Sequence, residues 1–325
     1  MPKVLVSTVP FGSDTKLPLE MLEAAGIDYE INKYDRKLTK EEMEEYLAEF
    51  DGLIAGTEII SELAIRNAKR LKIISRVGIG LDGVDLLAAR ANDVKVTYTP
   101  DAPAPAVAEL TIGLILGLIR NIHVSNHELH SKGWFRHFGH RVPDLTFGII
   151  GAGRIGERVL RRLSAFGTPR FLVNDSEHKP HLDREFKIEW VSKDKLLAES
   201  DVVTIHVPLT KNSKGMIGLN ELKKMKESAY LINTARGGIV QEDALYEALS
   251  NNVIKGAAVD VFEQEPYSGP LCDLENVILT AHMGSMSRDC RNRMEIEATQ
   301  EIINFFNGEK LNQPVPTQEY ALRED

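Results

Sequence analysis

Short apolar runs alternate with amphipathic stretches along the first hundred residues. Apolar strands are predicted at 4–9, 28–34, 52–55, 71–77 and 94–99. Helices are predicted at 17–25 and 39–50, where apolar residues recur at helical spacing, and Thr39 is the expected cap of the second. Strands and helices that alternate in this way form parallel sheets with crossover helices. These residues are therefore predicted to form one α/β unit.

A proline-rich break separates this unit from a second one. Three prolines occur at 100–105, where they interrupt regular structure. A long apolar helix is predicted from about 106 to 130, and a closing helix at 288–306. Between them, strands are predicted at 147–150, 171–174, 202–207, 229–233, 256–259 and 277–280. That number of strands suits a second, doubly wound parallel sheet.

A glycine-rich turn follows the first strand of the second sheet. Residues 147–156 read Phe-Gly-Ile-Ile-Gly-Ala-Gly-Arg-Ile-Gly, and a helix is predicted at 157–165. Gly151 permits the tight turn, Gly153 lets the backbone approach a pyrophosphate, and Gly156 lets helix and strand pack closely. The N–H groups near the helix start, at Arg154 and Ile155, are suited to phosphate oxygens. The turn therefore predicts a dinucleotide site.

The next strand ends in a carboxylate that indicates which dinucleotide is bound. Asp175 lies nineteen residues beyond Gly156, where a carboxylate accepts hydrogen bonds from the adenosine ribose. Asp175 would repel a 2′-phosphate, and the two residues that follow, Ser176 and Glu177, supply no arginine to neutralise one. NAD is therefore predicted rather than NADP.

Polar residues follow three later strands of the same sheet. The segments are 233–238, 260–266 and 281–285, and open α/β sheets bind ligands at the carboxyl ends of their strands. Hydride transfer to a carbonyl needs a proton donor, a cation for the substrate and a group that adjusts the donor. His282, Arg236 and Glu265 would supply these, so they are the predicted catalytic residues.

Composition and charge narrow the classes of partner. The chain has 325 residues, a length that suits two domains, and a net charge of -9. The acidic balance argues against a nucleic acid or an anionic membrane, which need a basic surface. The two cysteines, Cys272 and Cys290, form no CxxC pair and favour a reducing compartment, the cytoplasm. The N-terminal apolar run is read as a strand rather than a signal peptide.

The motifs together resemble the D-isomer-specific 2-hydroxyacid dehydrogenases over nearly the whole chain. Besides the segments above, 76–85 (Arg-Val-Gly-Ile-Gly-Leu-Asp-Gly-Val-Asp) resembles the family's substrate loop, and 107–111 (Val-Ala-Glu-Leu-Thr) its linker. Arg76 and the linker are closest to the phosphoglycerate dehydrogenase branch, in its short form. The resemblance implies a Rossmann-type NAD domain at 100–286, inserted into a flavodoxin-like substrate domain at 1–99 plus 287–325.

The resemblance also implies roles for individual residues. His282 would be the general acid for ketoacid reduction and the base for the reverse, oriented by Glu265, while Arg236 would hold the substrate carboxylate. The N–H groups of Val77, Gly78, Ile79 and Gly80 would bind the same carboxylate. Further NAD contacts would come from His206, Val207, Pro208, Thr234, Ala235, Asp260, His282 and Gly284. A homodimer would form through the NAD domain.

The substrate is left open between several small 2-keto acids. Arg76 and Arg136 are two extra cations that suggest a second anionic group, such as the phosphate of 3-phosphohydroxypyruvate or the phosphonate of phosphonopyruvate. The alternatives are hydroxypyruvate and glyoxylate, with both arginines serving the surface or an interface. A non-enzymatic NAD(H)-sensing corepressor is a third possibility. Other Rossmann reductases usually begin with their glycine loop, which lies in the middle here.

Five histidines between 123 and 140 form a separate cluster. His123, His127 and His130 would share one face of a helix, a spacing that can bind a metal. No acidic residue or cysteine completes a ligand set nearby, so the cluster is read as part of a dimer interface and no metal is predicted.

Overall fold

The computed structural model describes residues 1–323 and contains two groups of parallel strands. In chain order the strands are β1 (Lys3–Val6), β2 (Asp28–Ile31), β3 (Gly52–Ala55), β4 (Ile73–Arg76), β5 (Lys95–Thr97), β6 (Thr146–Ile150), β7 (Arg170–Asn174), β8 (Ile188–Trp190), β9 (Val202–Ile205), β10 (Tyr230–Asn233), β11 (Gly256–Val259) and β12 (Val277–Leu279). Every predicted strand is present, most of them shortened at one or both ends, and β8 was not predicted.

Helices follow most of the strands. They are α1 (Leu17–Ala24), α2 (Lys40–Tyr46), α3 (Glu62–Asn67), α4 (Leu86–Ala91), α5 (Ala104–Ile119), α6 (Ile122–His130), α7 (Arg154–Ser164), α8 (Pro180–Glu185), α9 (Lys193–Glu199), α10 (Leu219–Leu222), α11 (Glu242–Ser250), α12 (Arg288–Phe306) and α13 (Thr317–Ala321). Thr39 caps α2 as predicted, because its side chain accepts from the N–H of Glu42 while Glu42 bonds back to Thr39.

The chain divides into two compact units. The first comprises Met1–Pro103 together with the segment from Ser285 to the end of the described residues, and the second comprises Ala104–Gly284. In the first unit the strand order is β2-β1-β3-β4-β5, and every strand pair is parallel. This is the flavodoxin-like order. Helix α12 returns to this unit and packs against α1, β3 and β4.

The second unit contains a seven-stranded parallel sheet. Its order is β12-β11-β10-β9-β6-β7-β8, with β6 between the two halves. Successive residues of β6 face opposite sides, so that Ile149 and Ile150 belong to different apolar clusters. Both side chains are at most 1% exposed, and burial of each stabilises the fold by roughly 1.5–3 kcal/mol. The predicted α/β class with two doubly wound sheets is confirmed.

The helix predicted from 106 to 130 was wrong as one continuous element. The chain breaks between α5 and α6, where Asn121 takes a left-handed conformation with φ of 52°. Asparagine tolerates this conformation, and its Nδ2 donates to the carbonyl of Phe138 at 3.0 Å. The N–H of His140 also bonds the carbonyl of Ile119 at 2.9 Å. Contacts with the following segment therefore stabilise the break.

Within residues 1–323, no single helix combines the length and apolar character needed to cross a membrane. The pair α5 and α6 meets that length and composition test only when taken together, across a bend of 65°.

Candidate active site

Six loops of the second unit begin at the same edge of its sheet. They follow β6 (the glycine turn), β7 (Asp175), β9 (His206), β10 (Thr234–Arg236), β11 (Asp260) and β12 (His282). Because all seven strands are parallel, these loops emerge at the carboxyl edge, and β6 lies where the winding of the sheet reverses. That reversal is the usual ligand site of open α/β sheets.

His282 and Glu265 form a direct pair. The Nδ1 atom of His282 lies 2.9 and 2.8 Å from the two carboxylate oxygens of Glu265. The side chains are 32% and 24% exposed, so the pair is half-buried. A carboxylate accepts only, so Nδ1 donates its proton to Glu265. Nε2 is then the ring atom that can exchange a proton with a ligand.

Backbone contacts fix the loop that carries Glu265. Its Oε1 atom also accepts from the N–H of Phe262 at 3.1 Å. One residue on, the N–H of Glu263 donates to Glu242 at 2.6 Å. Burial raises the pKa of Glu242, although the bond from the Glu263 N–H opposes the shift. The bonds from the Phe262 and Glu263 N–H groups therefore hold in place the loop that carries the Glu265 carboxylate.

Asp260 holds the turn on which His282 sits. Its carboxylate, 1% exposed, accepts from the hydroxyl of Thr280 at 2.6 Å and from the N–H groups of Met283 and Gly284 at 2.9 Å each. Burial raises the pKa of Asp260, although these three donors oppose the shift. His282 has a φ of 48°, an unfavourable backbone conformation for histidine. These contacts hold the backbone in that conformation and were not predicted.

The loop after β10 lies tightly against the loop after β11. A side chain at Gly237 would place its Cβ 2.1 Å from the backbone of Phe262, so only glycine fits there. Asn233 shapes the turn from within, since its side chain accepts from the N–H of Ala235 and donates to the carbonyl of Arg236. Arg236 is half-buried in this loop. Arg236 and Glu265 therefore lie on neighbouring loops whose backbones are in close contact.

A hydroxyl pair joins the same loop to helix α5. Thr111 Oγ1 lies 2.9 Å from Thr234 Oγ1 and donates to the carbonyl of Val107 at 2.8 Å. Both threonines are buried. Since a threonine hydroxyl that donates to its own helix can still accept one bond, Thr234 is oriented by the helix rather than by solvent.

The glycine turn has the shape that a pyrophosphate needs. Gly151 has a φ of +89°, and a Cβ on Gly156 would lie 2.0 Å from the carbonyl oxygen of Gly151. A Cβ on Gly153 would meet nothing within 4 Å. Gly153 is the N-cap of α7 without a side-chain cap, so the first N–H groups of the helix, from Arg154 and Ile155 onwards, face this open space. Helix α7 begins three residues earlier than predicted.

Asp175 lies beside this turn. Its Oδ2 accepts from the N–H of Ala152 at 2.7 Å, and its Oδ1 accepts from the N–H of Glu177 at 3.0 Å. Burial alone would raise the pKa of Asp175, but these donors and the Lys179 ammonium outweigh it, and the pKa lies below its usual value. Asp175 is therefore an anion at neutral pH, as its predicted role at the ribose would require.

His206 closes the opposite side of the turn. Its Nε2 lies 2.9 Å from the hydroxyl of Thr204, and burial lowers the pKa of His206 to about 3. Nδ1 is buried and has no hydrogen-bond partner among the described residues. A Cβ on Gly156 would lie 3.5 Å from this ring. His206 is a neutral wall of the turn, while Val207 and Pro208 continue the same segment.

The substrate loop predicted at 77–80 belongs to the first unit and differs from expectation. The N–H of Val77 donates to the carbonyl of Ala55 and the N–H of Gly78 to the hydroxyl of Thr99, each at 2.8 Å. These two N–H groups are therefore committed inside the unit, because the sheet ladder continues into the loop. The N–H groups of Ile79 and Gly80 stay predicted contacts of the substrate carboxylate.

Arg76 is folded back onto this loop. It is 4% exposed, and its Nε and Nη2 donate to the carbonyl of Gly80 at 3.1 and 2.8 Å. A carbonyl held by two guanidinium donors fixes the turn from Val77 to Gly80. Arg136, by contrast, lies exposed in the segment after α6. The two arginines thus have different surroundings.

The histidine cluster does not form a metal-ligand set. Among residues 1–323, no three histidine, cysteine or acidic side chains lie close enough to hold a metal ion. His137 bonds Glu128 at 2.7 Å, and burial lowers the pKa of His123. The described part of this segment also exposes several large apolar side chains: Ile122, Leu129, Trp134, Phe135 and Phe138.

Comparison with known proteins identifies a family. Residues 112–284 match the family model described as D-isomer specific 2-hydroxyacid dehydrogenase, NAD binding domain. A D-3-phosphoglycerate dehydrogenase from Methanocaldococcus jannaschii is 37% identical over 84% of this chain, and the match spans only 53% of that longer relative. A hydroxypyruvate reductase from Thermotoga maritima is 36% identical over 84% of this chain and 90% of that protein.

A solved structure extends the likeness to three dimensions. A D-lactate dehydrogenase from Aquifex aeolicus, solved in complex with NAD and lactic acid, is 27% identical. It superposes with a TM-score of 0.82 over 94% of this chain and 96% of that one.

Proposed function

Since the chain belongs to the D-isomer-specific 2-hydroxyacid dehydrogenases and is an NAD-dependent oxidoreductase, we propose that it interconverts a small anionic 2-keto acid and its D-2-hydroxy acid, with His282 as the acid–base catalyst. The observation that carries this proposal is the bond between His282 Nδ1 and the Glu265 carboxylate. A carboxylate at Nδ1 fixes the tautomer and stabilises the protonated ring. His282 can then donate a proton from Nε2 in one direction and accept it in the other.

The residues of the second unit would divide the reaction between them. NADH, when bound, supplies the hydride that C2 of the keto acid accepts. His282 gives the carbonyl oxygen its proton, and Arg236 holds the substrate anion and stabilises charge that develops on that oxygen. The dinucleotide would lie across the glycine turn, with phosphates at the start of α7 and the adenosine ribose at Asp175. Asp260 would hold the His282 turn beside the carboxamide.

The burial of Arg76 favours a substrate with an uncharged tail, such as hydroxypyruvate or glyoxylate. The side chain is only 4% exposed and is held on the Gly80 carbonyl, so its charge lies inside the first unit rather than at a surface that a phosphate tail reaches. A phosphorylated acid is the second candidate. It is favoured by exposed Arg136 and by the resemblance of the front part of the chain to phosphoglycerate dehydrogenases.

Oxidation of NADH with a panel of 2-keto acids should separate these substrates. We expect a higher kcat/KM for hydroxypyruvate and glyoxylate than for phosphohydroxypyruvate or phosphonopyruvate. Arg136→Met should then change kcat/KM by less than about 3-fold, because the substrate carboxylate is held by other groups and loses no charge-assisted bond. If instead phosphohydroxypyruvate is preferred and Arg136→Met costs about 10-fold or more, the enzyme has a second anion site. NADH binding without turnover of any acid would favour a sensing module over an enzyme.

We also propose that the chain forms a homodimer through its second unit. Trp134 is 83% exposed and Phe138 98% exposed, and both lie in the segment that contacts the break between α5 and α6. Large apolar side chains that are exposed close together in the sequence favour an interaction surface there. The resemblance implies a second copy of this chain as the occupant.

The two free thiols, Cys272 and Cys290, support a reducing location such as the cytoplasm.

Light scattering after gel filtration should test this surface. The native chain is expected at twice the monomer mass of 36.2 kDa, and Trp134→Ser with Phe138→Ser is expected to shift it towards the monomer, because the apolar contact is lost. Phe166→Ser is the matched control, since Phe166 is 45% exposed in the same unit but outside this segment. A native monomer, or a dimer that survives the double change, would contradict the proposal.

A further inference from the structure

A lysine lies at the edge of the glycine turn, close to Asp175. Lys179 Nζ donates to the carbonyl of Ala152 at 2.9 Å and lies 3.6 Å from Asp175 Oδ2. Its side chain is 24% exposed and that of Asp175 is 13% exposed. Lys179 is the N-cap residue of α8, so its backbone is anchored four residues beyond Asp175, which directly follows β7. The ammonium therefore reaches back to the dinucleotide turn.

The sequence alone did not reveal this cation. The two residues after Asp175, Ser176 and Glu177, carry no positive charge, and this favoured exclusion of a 2′-phosphate. The loop, however, returns Lys179 to the carboxylate four residues later. The ion pair is only partly exposed, so it is screened less than a surface pair. Repulsion by Asp175 thus coexists with a lysine at the same point.

We propose that Lys179 is a second determinant of cofactor choice: it pairs with Asp175 in the NAD-binding enzyme, and it becomes the ligand of a 2′-phosphate once the charge of Asp175 is removed. This inference rests on the proposed position of the adenosine ribose at Asp175. A lysine ammonium is a compact donor that binds phosphate as a point charge. Its bond to the Ala152 carbonyl keeps it at the turn when the carboxylate is absent.

The consequence is that discrimination against NADPH depends on one carboxylate. The native chain binds NADPH weakly because Asp175 repels the phosphate and occupies Lys179. Asp175→Asn removes both effects and keeps a side chain of the same size that can still bond the ribose. No new arginine is needed for NADPH to bind.

Titration of cofactor fluorescence measures this directly, without turnover. Dissociation constants for NADH and NADPH would be compared for the native chain, Asp175→Asn, Lys179→Met, and the double variant Asp175→Asn with Lys179→Met. Lys223→Met is the charge control, since Lys223 is exposed at the C-cap of α10 in the same unit. We expect Asp175→Asn to tighten NADPH binding by about 10–100-fold, the size of one charge-assisted contact.

The double variant decides the role of Lys179. We expect it to lose most of the gain in NADPH affinity, whereas Lys179→Arg in the same background retains it. Lys179→Met alone should leave NADPH binding weak, because Asp175 keeps its charge, and Lys223→Met alone should change either affinity by less than about 3-fold. A gain that persists in full without Lys179 overturns the assignment of the lysine but leaves the ribose at Asp175. If Asp175→Asn alters neither affinity, the ribose position itself is wrong, and this inference fails with it.

Discussion

Replacing His282 with asparagine should lower kcat/KM for ketoacid reduction by about 10²–10⁴-fold, the usual contribution of a general acid, while the dissociation constant for NADH changes little. Asparagine tolerates the left-handed backbone of this position, so the turn held by Asp260 should persist. The variant then loses the imidazole, with its bond to Glu265 and its proton on Nε2, but keeps the turn. Steady-state kinetics and an NADH titration on the same preparation measure both quantities.

Glu265→Gln is the companion variant for this test. The amide keeps the size of the side chain and its contact with the Phe262 N–H, but it no longer stabilises a protonated ring at Nδ1. Its loss of kcat/KM should fall between the native value and that of His282→Asn, with NADH affinity again preserved. Full activity of His282→Asn would assign proton transfer to another group. A parallel loss of NADH binding would show that the substitution had disrupted the structure of the site and had not merely removed the proton donor.

Two alanine substitutions in the glycine turn should have different effects, one on thermal stability and the other on NADH binding. In Gly156→Ala the new Cβ would lie 2.0 Å from the Gly151 carbonyl oxygen, and overpacking against a rigid backbone costs about 3 kcal/mol. For a unit of this size that corresponds to a fall of roughly 6–12 °C in apparent Tm. In Gly153→Ala the Cβ meets nothing within 4 Å and the backbone is ordinary. Its Tm should stay near the native value.

Cofactor binding separates the pair further. Gly153→Ala places a methyl group in the open space in front of α7, where the pyrophosphate would lie, so its NADH affinity should fall by about 10-fold or more although it remains folded. Thermal denaturation with and without NADH, together with a titration, distinguishes the two. If Gly153→Ala binds NADH normally, the dinucleotide does not approach this turn. A native Tm for Gly156→Ala would show that the helix can shift away.

Local patterns carried much of the prediction from sequence. The dinucleotide turn could be recognised because its parts lie within one short stretch of sequence: a strand, three glycines and Asp175. The glycines stand out because the turn needs backbone geometry that only glycine allows. The strands before Arg236, Asp260 and His282 were equally clear, since buried parallel strands read as continuous apolar runs. Parallel order then placed their loops at one edge without any knowledge of side-chain contacts.

The features that could not be predicted depend on where side chains turn back. Arg76 was expected to face a substrate, but its guanidinium bonds the Gly80 carbonyl four residues away. Lys179 is only four residues beyond Asp175, but its return to that carboxylate depends on the path of the loop between them. The break at Asn121 was hidden because the helical pattern runs on through it, and the contacts that stabilise it come from Phe138 and His140.

The backbone of His282 places catalysis and thermal robustness in opposition. A left-handed conformation costs a residue with a Cβ roughly 1–2 kcal/mol, and glycine would avoid that cost. Selection for heat resistance alone would therefore favour exchange of the proposed proton donor for glycine, at the expense of the reaction. A screen for thermostable variants of this chain therefore needs an activity assay at every round. Without one, it will accumulate variants that are folded but no longer convert substrate.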